Sequence, residues 1–90
     1  MKLLLCKECQ DVVRLIDIKR VCKCGKIGGK YIDSINAIYF GENAIPIGFA
    51  NNSLRLAVHT QPTVGMGKDF TAFVIPKNCP SYKLVNETEL

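Results

Sequence analysis

The sequence predicts a β-rich α+β fold with a small antiparallel sheet, one short helix and an N-terminal hairpin that carries cysteines. Short runs of β-branched and aromatic residues, separated by Gly, Asn and Pro, predict the strands. One segment opens with helix-capping residue types, and four cysteines lie within the first 24 residues. We expect one domain over 1–90, with a cysteine segment at 1–30, a β-rich body at 31–85 and a frayed tail at 86–90.

The length of the chain calls for some reinforcement of the fold. A chain of 90 residues buries a smaller share of its surface than a larger domain does. The composition, 48% hydrophobic without a repetitive tract, is typical of a folded protein. We therefore expect a stable fold that depends on a staple such as a bound metal.

The cysteines near the N-terminus come in two close pairs. Cys6 and Cys9 form the first pair, and Cys22 and Cys24 form the second, which Gly25 follows. Zinc prefers about four soft ligands in a tetrahedron, and two such pairs supply them. A glycine after the second pair allows a left-handed backbone that points N–H groups at the thiolates. The pattern predicts a structural zinc site, with an iron–sulfur cluster or reduced thiols in a small core as alternatives.

A hairpin between the two pairs would bring them together. Residues 12–16 are apolar except for Arg14 and mostly β-branched, 17–19 can turn, and Arg20–Val21 lead back to the second pair. Residues 6–25 resemble a zinc ribbon, in which cysteine knuckles on neighbouring hairpin turns hold a structural zinc. The second knuckle departs from that family, because it is Cys-x-Cys where Cys-x-x-Cys is usual. The resemblance implies a fully coordinated metal that stabilises the fold.

The body of the chain reads as short strands. Residues 31–32 and 35–40 are expected to be extended, 41–43 to form a hairpin turn, and 44–49 to return beside the preceding strand. Pro46 lacks the N–H that a sheet ladder requires, so this return strand is expected at a sheet edge or a bulge.

One helix and one further strand follow. The oxygens of Asn51, Asn52 and Ser53 are suited to cap a helix over 54–61, which Pro62 ends. Residues 70–75 have the strongest strand composition. Aromatic residues at strand spacing are expected to lie mostly in the core, although an exposed ring could stack on a base. The aromatic residues concerned are Tyr31, Tyr39, Phe40, Phe49, Phe70 and Phe73.

Positive charge is concentrated near the cysteines. Residues 1–30 hold eight Lys or Arg against three Asp or Glu, while the whole chain has a net charge of +4. Zinc with four thiolates is a −2 centre, so metal binding would lower the net charge to about +2. Much of this basicity therefore offsets the thiolates, and a surface that follows a phosphate backbone usually carries more unbalanced charge.

The glycine-rich segments lack the pattern of known phosphate loops. Residues 25–31 do not match a P-loop, since the spacing is one residue short and Tyr31 replaces the magnesium ligand. Gly28, Gly29 and Lys30 are expected to form a flexible turn. The residues that could bind an anion through N–H groups, an amide or an ammonium are, in chain order, Lys30, Asn51, Asn52, Ser53, Gly65, Gly67 and Lys68.

Catalysis finds little support. His59, the only histidine, follows the cysteines, whereas a zinc deaminase needs a His-x-Glu before them. Cys79 is expected to be a small hydrophobic residue in the core. We therefore expect a protein that is not an enzyme.

Two functions suit such a protein. The first is a zinc-stabilised binding protein, either a monomer or a homo-oligomer, that captures an anionic small molecule such as a signalling nucleotide, for example in immune evasion. The alternative is a zinc-ribbon adaptor for nucleic acid or for a protein that handles it.

The N-terminal leucines do not form a secretion signal. The apolar run at 3–5 is far shorter than the roughly 7 to 15 residues of a signal core. No other apolar run approaches the roughly 18 residues of a membrane span. We expect a soluble, cytoplasmic protein without a membrane partner.

Overall fold

The computed structural model describes residues 1–90. It contains eight strands and one α-helix, and the chain ends in a 3-10 turn. In chain order the elements are β1 (Lys2–Cys6), β2 (Val12–Arg14), β3 (Arg20–Val21), β4 (Gly28–Tyr31), β5 (Ala37–Phe40), β6 (Ala44–Phe49), α1 (Asn51–His59), β7 (Ala72–Val74), β8 (Tyr82–Leu84) and the 3-10 turn (Glu87–Glu89).

The strands form two four-stranded sheets. Sheet A has the order β2-β1-β6-β7, and sheet B has the order β3-β4-β5-β8. All neighbouring strands are antiparallel except β5 and β8, which are parallel. The predicted β-rich α+β class is confirmed, but the strands divide between two sheets where one antiparallel sheet was expected.

Strands that are adjacent in sequence do not always pair. The predicted hairpin over 12–21 is wrong in its pairing, because β2 belongs to sheet A and β3 to sheet B. The same holds for the predicted hairpin over 35–49, since β5 lies in sheet B and β6 lies in sheet A. Instead β2 pairs with β1, and β3 pairs with β4. The two cysteine pairs therefore lie in two hairpin turns, one in each sheet.

Strand β1 is the centre of sheet A. It pairs with β2 on one side and with β6 on the other, through five residue pairs from Lys2↔Gly48 to Cys6↔Ala44. Leu4 and Cys6 are fully buried. No alternating pattern predicts this strand, and the leucine run that is too short for a signal peptide is a core strand.

Both sheets contribute to one buried cluster. The fully buried Tyr82 of sheet B donates a hydrogen bond from its hydroxyl to the main-chain oxygen of Leu3 in sheet A, at 2.8 Å. The ring of Tyr82 meets that of Tyr39 edge to face, with centroids 5.1 Å apart. The cluster consists of Leu4, Cys6, Val13, Leu15, Cys22, Ile27, Ala37, Tyr39, Ala44, Ile75 and Tyr82.

We expect Tyr82→Phe to lower the free energy of unfolding by roughly 1–3 kcal/mol, because it leaves the buried Leu3 carbonyl without this donor. Tyr39→Phe is the matched control, since its hydroxyl makes no hydrogen bond within the protein and its loss is expected to cost less. Urea denaturation of the metal-loaded variants measures both. Equal stabilities for the two variants would show that the bond between the sheets contributes nothing.

Pro46 lies inside a sheet, contrary to the prediction of an edge or a bulge. Strand β6 has β1 on one side and β7 on the other. The Pro46 carbonyl accepts a hydrogen bond from Ile75 N at 2.9 Å, just beyond the end of β7. Because the N and C=O of a strand residue face the same neighbour, the missing N–H of Pro46 also faces this end, where the ladder stops. The proline therefore removes only a terminal hydrogen bond.

The helix begins earlier than predicted. Residues 51–53 lie in its first turn, and the N-cap is Ala50, which forms no side-chain capping bond. The expected capping role of Asn51, Asn52 and Ser53 is therefore wrong. The Ser53 hydroxyl donates to the Ala50 carbonyl and accepts from Thr71 N, each at 2.8 Å. This contact ties the start of the helix to the chain that enters β7.

The strand predicted over 70–75 is shorter and more exposed than its composition suggested. Strand β7 spans Ala72–Val74 at the edge of sheet A, and all three residues are exposed. Phe70 and Phe73 are 40% and 49% exposed, contrary to their expected place in the core. Tyr39 and Phe40 are buried as predicted. Tyr31 and Phe49 are half-buried.

The glycines of residues 28–30 form a strand, so the prediction of a flexible turn is wrong. Gly28 and Gly29 begin β4 and are buried between β3 and β5. A Cβ on Gly29 would lie 2.6 Å from the Ile38 carbonyl oxygen. Glycine is required here because neighbouring strands approach too closely for a side chain.

The chain end folds back on sheet B. Lys19 forms an ion pair with Glu87 at 2.8 Å, and Lys30 Nζ donates to the main-chain oxygen of Leu90 at 3.2 Å. Asn86 and Glu89 form a reciprocal capping box around the 3-10 turn. Fraying of residues 86–90 stays a prediction.

Candidate metal centre

The first cysteine knuckle is the turn between β1 and β2. Cys6 ends β1, its N–H donates to the Asp11 carbonyl at 2.9 Å, and its own carbonyl accepts from Gln10 N at 2.8 Å. Gln10 has φ 61°, the left-handed conformation that usually favours glycine. Cys9 N points at Cys6 Sγ, at 3.5 Å. The turn thus directs a main-chain N–H at a thiolate.

The second knuckle is the turn between β3 and β4. Cys22 N donates to the Ile27 carbonyl, and Gly25 N donates to the Cys22 carbonyl, each at 3.0 Å. Gly25 has φ 79°, as expected for a glycine at this position. Each knuckle therefore has a left-handed residue directly after its second cysteine. A glycine at position 25 predicts the left-handed conformation, whereas a glutamine at position 10 does not predict it.

The four thiols meet between the two turns. The sulfur atoms of Cys6, Cys9, Cys22 and Cys24 all lie within 4.8 Å of one another. Cys24 Sγ is 3.7 Å from Cys6 Sγ and 3.3 Å from Cys22 Sγ. A tetrahedral zinc with Zn–S bonds of about 2.3 Å requires sulfur atoms about 3.8 Å apart. The cluster therefore suits a structural metal such as zinc, and the short Cys-x-Cys knuckle still brings both sulfurs into place.

The thiols affect one another's pKa. Hydrogen bonding from the Asp11 main chain is the main cause that lowers the pKa of Cys9. Desolvation raises the pKa of Cys22, but the Ile27 main chain and the neighbouring thiols outweigh it and lower this pKa to about 6. The Lys26 main chain lowers the pKa of Cys24, yet the three other cysteines and desolvation raise it to about 12. Without a cation the cluster thus disfavours ionisation of the Cys24 thiol, and a divalent metal would offset that charge.

Further contacts hold the two knuckles together. Lys26 forms an ion pair with Glu8 at 2.7 Å. The Asp11 carboxylate accepts a hydrogen bond from Lys23 N at 2.9 Å. Glu8 and Asp11 belong to the first knuckle, and the two lysines belong to the second. These links support the cluster from outside.

The arrangement joins the two sheets. Cys6 and Cys9 come from sheet A, and Cys22 and Cys24 come from sheet B. Cys6 and Cys22 are buried, whereas Cys24 is exposed. Four cysteine ligands fill a tetrahedral site and leave no position for water or substrate. Such a centre stabilises the fold and offers no open coordination site for chemistry.

Three of the predicted ligand residues lie together at another place. Gly65, Gly67 and Lys68 line a cavity of about 400 Å³ beside α1, which we call the α1 cavity. Phe70 and one side of α1 complete its wall. The aromatic and helical lining residues were not expected from the sequence, because their approach depends on how residues 60–71 fold back on the helix.

The remaining predicted residues lie apart. Asn51 lines a separate cavity with Arg14 and Arg55. Ser53 lies in a smaller cavity that Lys68 also lines. Asn52 is exposed at the helix start, and Lys30 contacts the end of the chain.

No hydrogen bond joins Cys79 to His59. Cys79 is half-buried and packs against the core cluster, as expected, and its sulfur lies 3.4 Å from Ser81 Oγ. The Ser81 hydroxyl lowers the pKa of this thiol. His59 is exposed at the end of α1.

Two further observations concern membrane-spanning helices and similarity to known proteins. The chain contains no helix with the length and apolar character needed to cross a bilayer. Comparison with protein families, with curated proteins and with solved structures gave no match.

Proposed function

We propose that this chain is a zinc-stabilised, non-catalytic binding protein that captures a small anionic ligand with a flat apolar part, such as a signalling nucleotide. One observation carries the proposal: Gly65, Gly67 and Lys68 share a cavity with Phe70. Glycine N–H groups and an ammonium suit a phosphate, while an aromatic ring suits a base. Zinc is the metal proposed for the four cysteines, because all four ligands are thiolates at tetrahedral spacing.

The size of the α1 cavity fits such a ligand. Its volume of about 400 Å³ lies within the roughly 300–1,000 Å³ typical of small-molecule sites. The helix contributes Leu54, Ala57 and Val58, which repeat at the spacing of one helical face, and Gln61 lies just beyond the helix end. Lys68 is the one charged residue in the lining. The cavity therefore combines apolar walls with a single cation.

The apolar side of α1 supports the same proposal. No residue of this helix is buried, and Val58 is 65% exposed. An apolar helix face without protein cover gains stability when a ligand removes it from water. A flat ring placed between Val58 and Phe70 would provide that cover.

The far wall of the cavity is held in position by three contacts. The Thr71 carbonyl accepts a hydrogen bond from Ala50 N at 2.8 Å, beside the bond between Thr71 N and Ser53. The rings of Phe49 and Phe70 meet edge to face with centroids 5.1 Å apart. These contacts orient Phe70 toward the helix before a ligand arrives, which lowers the entropy cost of binding.

The chemistry of the cavity favours capture over conversion. Its lining contains no Asp, Glu, His or Cys, the usual general acids, bases and nucleophiles. The cysteine cluster adjoins the Ala44 end of β6 and α1 follows the Phe49 end, about 17 Å away at roughly 3.4 Å per residue. The metal is therefore too distant to act on a ligand in the cavity. Sequestration of a signalling nucleotide, as in immune evasion, is the biological role that we propose for it.

Calorimetric titration of the zinc-loaded protein with a panel of nucleotides tests this function. We expect at least one nucleotide to bind, and Lys68→Gln to weaken it by about tenfold, since one charge-assisted hydrogen bond is lost. The control is Lys83→Gln, which removes the same charge from an exposed residue of β8. It should change the affinity by less than about twofold. Failure of every nucleotide to bind, or equal effects of the two substitutions, would reject the α1 cavity as the site.

The adaptor function is a second proposal, and one observation supports it. Lys7 and Lys23 are exposed on the two knuckles and form no ion pair. However, the carboxylates of Glu8 and Glu87 already neutralise Lys26 and Lys19. Binding of single-stranded nucleic acid that weakens steeply with salt, and that Lys7→Gln and Lys23→Gln reduce, would favour the adaptor over ligand capture.

A further inference from the structure

The three arginines of the chain gather at one end of sheet A. Arg14 ends the edge strand β2, opposite Leu3 at the start of β1. Arg55 lies in α1, which follows the end of β6 that pairs with the same start of β1. Arg20 Nη1 donates to the Arg14 carbonyl at 3.1 Å. The fold thus brings together arginines that are up to 41 positions apart in the sequence.

Arg14 and Arg55 line one cavity of about 400 Å³, which we call the arginine cavity. Its polar lining also includes Tyr31 and Asn51, and its apolar part includes Leu15 and Leu54. No Asp or Glu lines it. Two arginines therefore line one concave surface that has no carboxylate among its lining residues.

The ion pairs elsewhere in the protein do not involve the arginines. The protein has two ion pairs, and both use lysines, Lys19 and Lys26. Each arginine is left without a carboxylate partner. Arginine is the side chain best suited to bind a phosphoryl group, because its planar fork donates two parallel hydrogen bonds. Like charges brought close together in a concave site are costly unless an anion offsets them.

The other polar groups in the cavity are also placed as donors. The Tyr31 hydroxyl accepts a hydrogen bond from Lys2 N at 3.1 Å, which leaves its own proton without an acceptor in the protein. The Asn51 side-chain oxygen accepts from the Met1 nitrogen, which leaves its amide N–H groups free. Two arginines, a hydroxyl proton and an amide thus offer donors in one place. An acceptor-rich anion is the matching ligand.

We propose that the arginine cavity is a binding site for a phosphoryl group, distinct from the α1 cavity and independent of the function proposed for it. The site takes a multiply charged phosphate oxyanion, either free or as the terminal group of a small phosphorylated molecule. Leu54 lines both cavities and separates the two sites along one helix face.

Calorimetric titration of the zinc-loaded full chain with inorganic pyrophosphate, at constant ionic strength, tests the site. We expect saturable binding of one pyrophosphate per chain, weakened about tenfold or more by Arg14→Gln or Arg55→Gln. Arg14→Lys and Arg55→Lys keep the charge without the planar fork, and should bind with intermediate affinity. The control Lys83→Gln should change the affinity by less than about twofold. Zinc content is measured before and after titration, because pyrophosphate itself binds divalent metals.

Adenosine diphosphate and adenosine distinguish the two sources of the phosphoryl group. If the site accepts a phosphorylated molecule, the diphosphate should show the same dependence on Arg14 and Arg55, and adenosine should not. Absence of saturable pyrophosphate binding would overturn the proposal. So would equal effects of the arginine substitutions and Lys83→Gln. If Lys68→Gln alone abolishes pyrophosphate binding, the anion occupies the α1 cavity, which overturns this inference and supports the function proposed above.

Discussion

Removal of zinc from the four-cysteine cluster is expected to unfold both sheets. The cluster joins the β1–β2 turn of sheet A to the β3–β4 turn of sheet B. Structural zinc binding supplies roughly 10–16 kcal/mol at neutral pH, whereas small domains are stable by only about 5–15 kcal/mol. Without the metal, the sulfur atoms of the buried Cys6 and Cys22 have no cation to join them across the two sheets. We therefore expect the metal-free chain to be largely unfolded.

Circular dichroism and thermal denaturation, with and without a chelator, measure this effect. Cys22→Ser should reproduce the loss of folded structure, because it removes one ligand from the cluster. Cys79→Ser is the matched control, since Cys79 lies outside the cluster and bonds only to Ser81 through its side chain. A Cys22→Ser protein with the thermal midpoint of Cys79→Ser would show that the metal does not hold the fold.

Substitution of Gly28 is expected to have the largest effect of any single change away from the metal. A Cβ at this position would lie 2.9 Å from both Phe40 Cε1 and Val21 Cγ1, and would also overlap the Arg20 carbonyl oxygen. All three obstacles belong to the strands on either side of β4, Arg20 and Val21 to β3 and Phe40 to β5. Overpacking of this kind costs typically 1–3 kcal/mol, and backbone overlap places Gly28→Ala at about 3 kcal/mol. For a domain of this size that corresponds to a fall of at least roughly 10 °C in thermal midpoint.

Gly67→Ala provides the control for the glycine effect. A Cβ on Gly67 would meet no atom within 4 Å, and this residue does not have a positive φ. We expect a change of less than about 0.5 kcal/mol, with slight stabilisation from the stiffer unfolded chain. Differential scanning calorimetry of both metal-loaded variants compares them. Similar midpoints would mean that β4 does not pack between β3 and β5 as described.

The two proposed parts of the protein are linked through β1 and β6. The cysteine cluster adjoins one end of this strand pair, and α1 with both cavities adjoins the other. A ligand that binds only the folded chain adds stability that grows with its concentration relative to its Kd. Metal removal should consequently abolish ligand binding, even though no ligand group touches the metal.

Local patterns in the sequence predicted the cysteine cluster well. The spacing within each pair fixes a short turn, and Gly25 supplies the left-handed residue after the second pair. The assignment of strands to sheets could not be predicted in the same way. Residues 12–21 have the composition of a hairpin, but β2 pairs with β1 and β3 pairs with β4. Such a choice depends on contacts between distant parts of the chain.

The grouping of the candidate ligand residues could likewise be predicted only where it depends on local sequence. Gly65, Gly67 and Lys68 are close in sequence, and they line one cavity. Asn51 and Ser53 were grouped with them as residues of one helix start, yet the helix places their side chains at different cavities. The arginine cavity gave no sequence signal at all, because Arg14 and Arg55 meet only through the pairing of β1 with β2 and β6.

Native mass spectrometry of the protein as purified tests the zinc centre most directly. The expected spectrum shows one zinc ion per chain in a compact charge-state distribution, with any captured small anion as an additional mass. The same spectrum reports whether the chain is a monomer or an oligomer. A compact chain without metal, or one that carries an iron–sulfur cluster, would refute the zinc centre on which the fold and the proposed function depend.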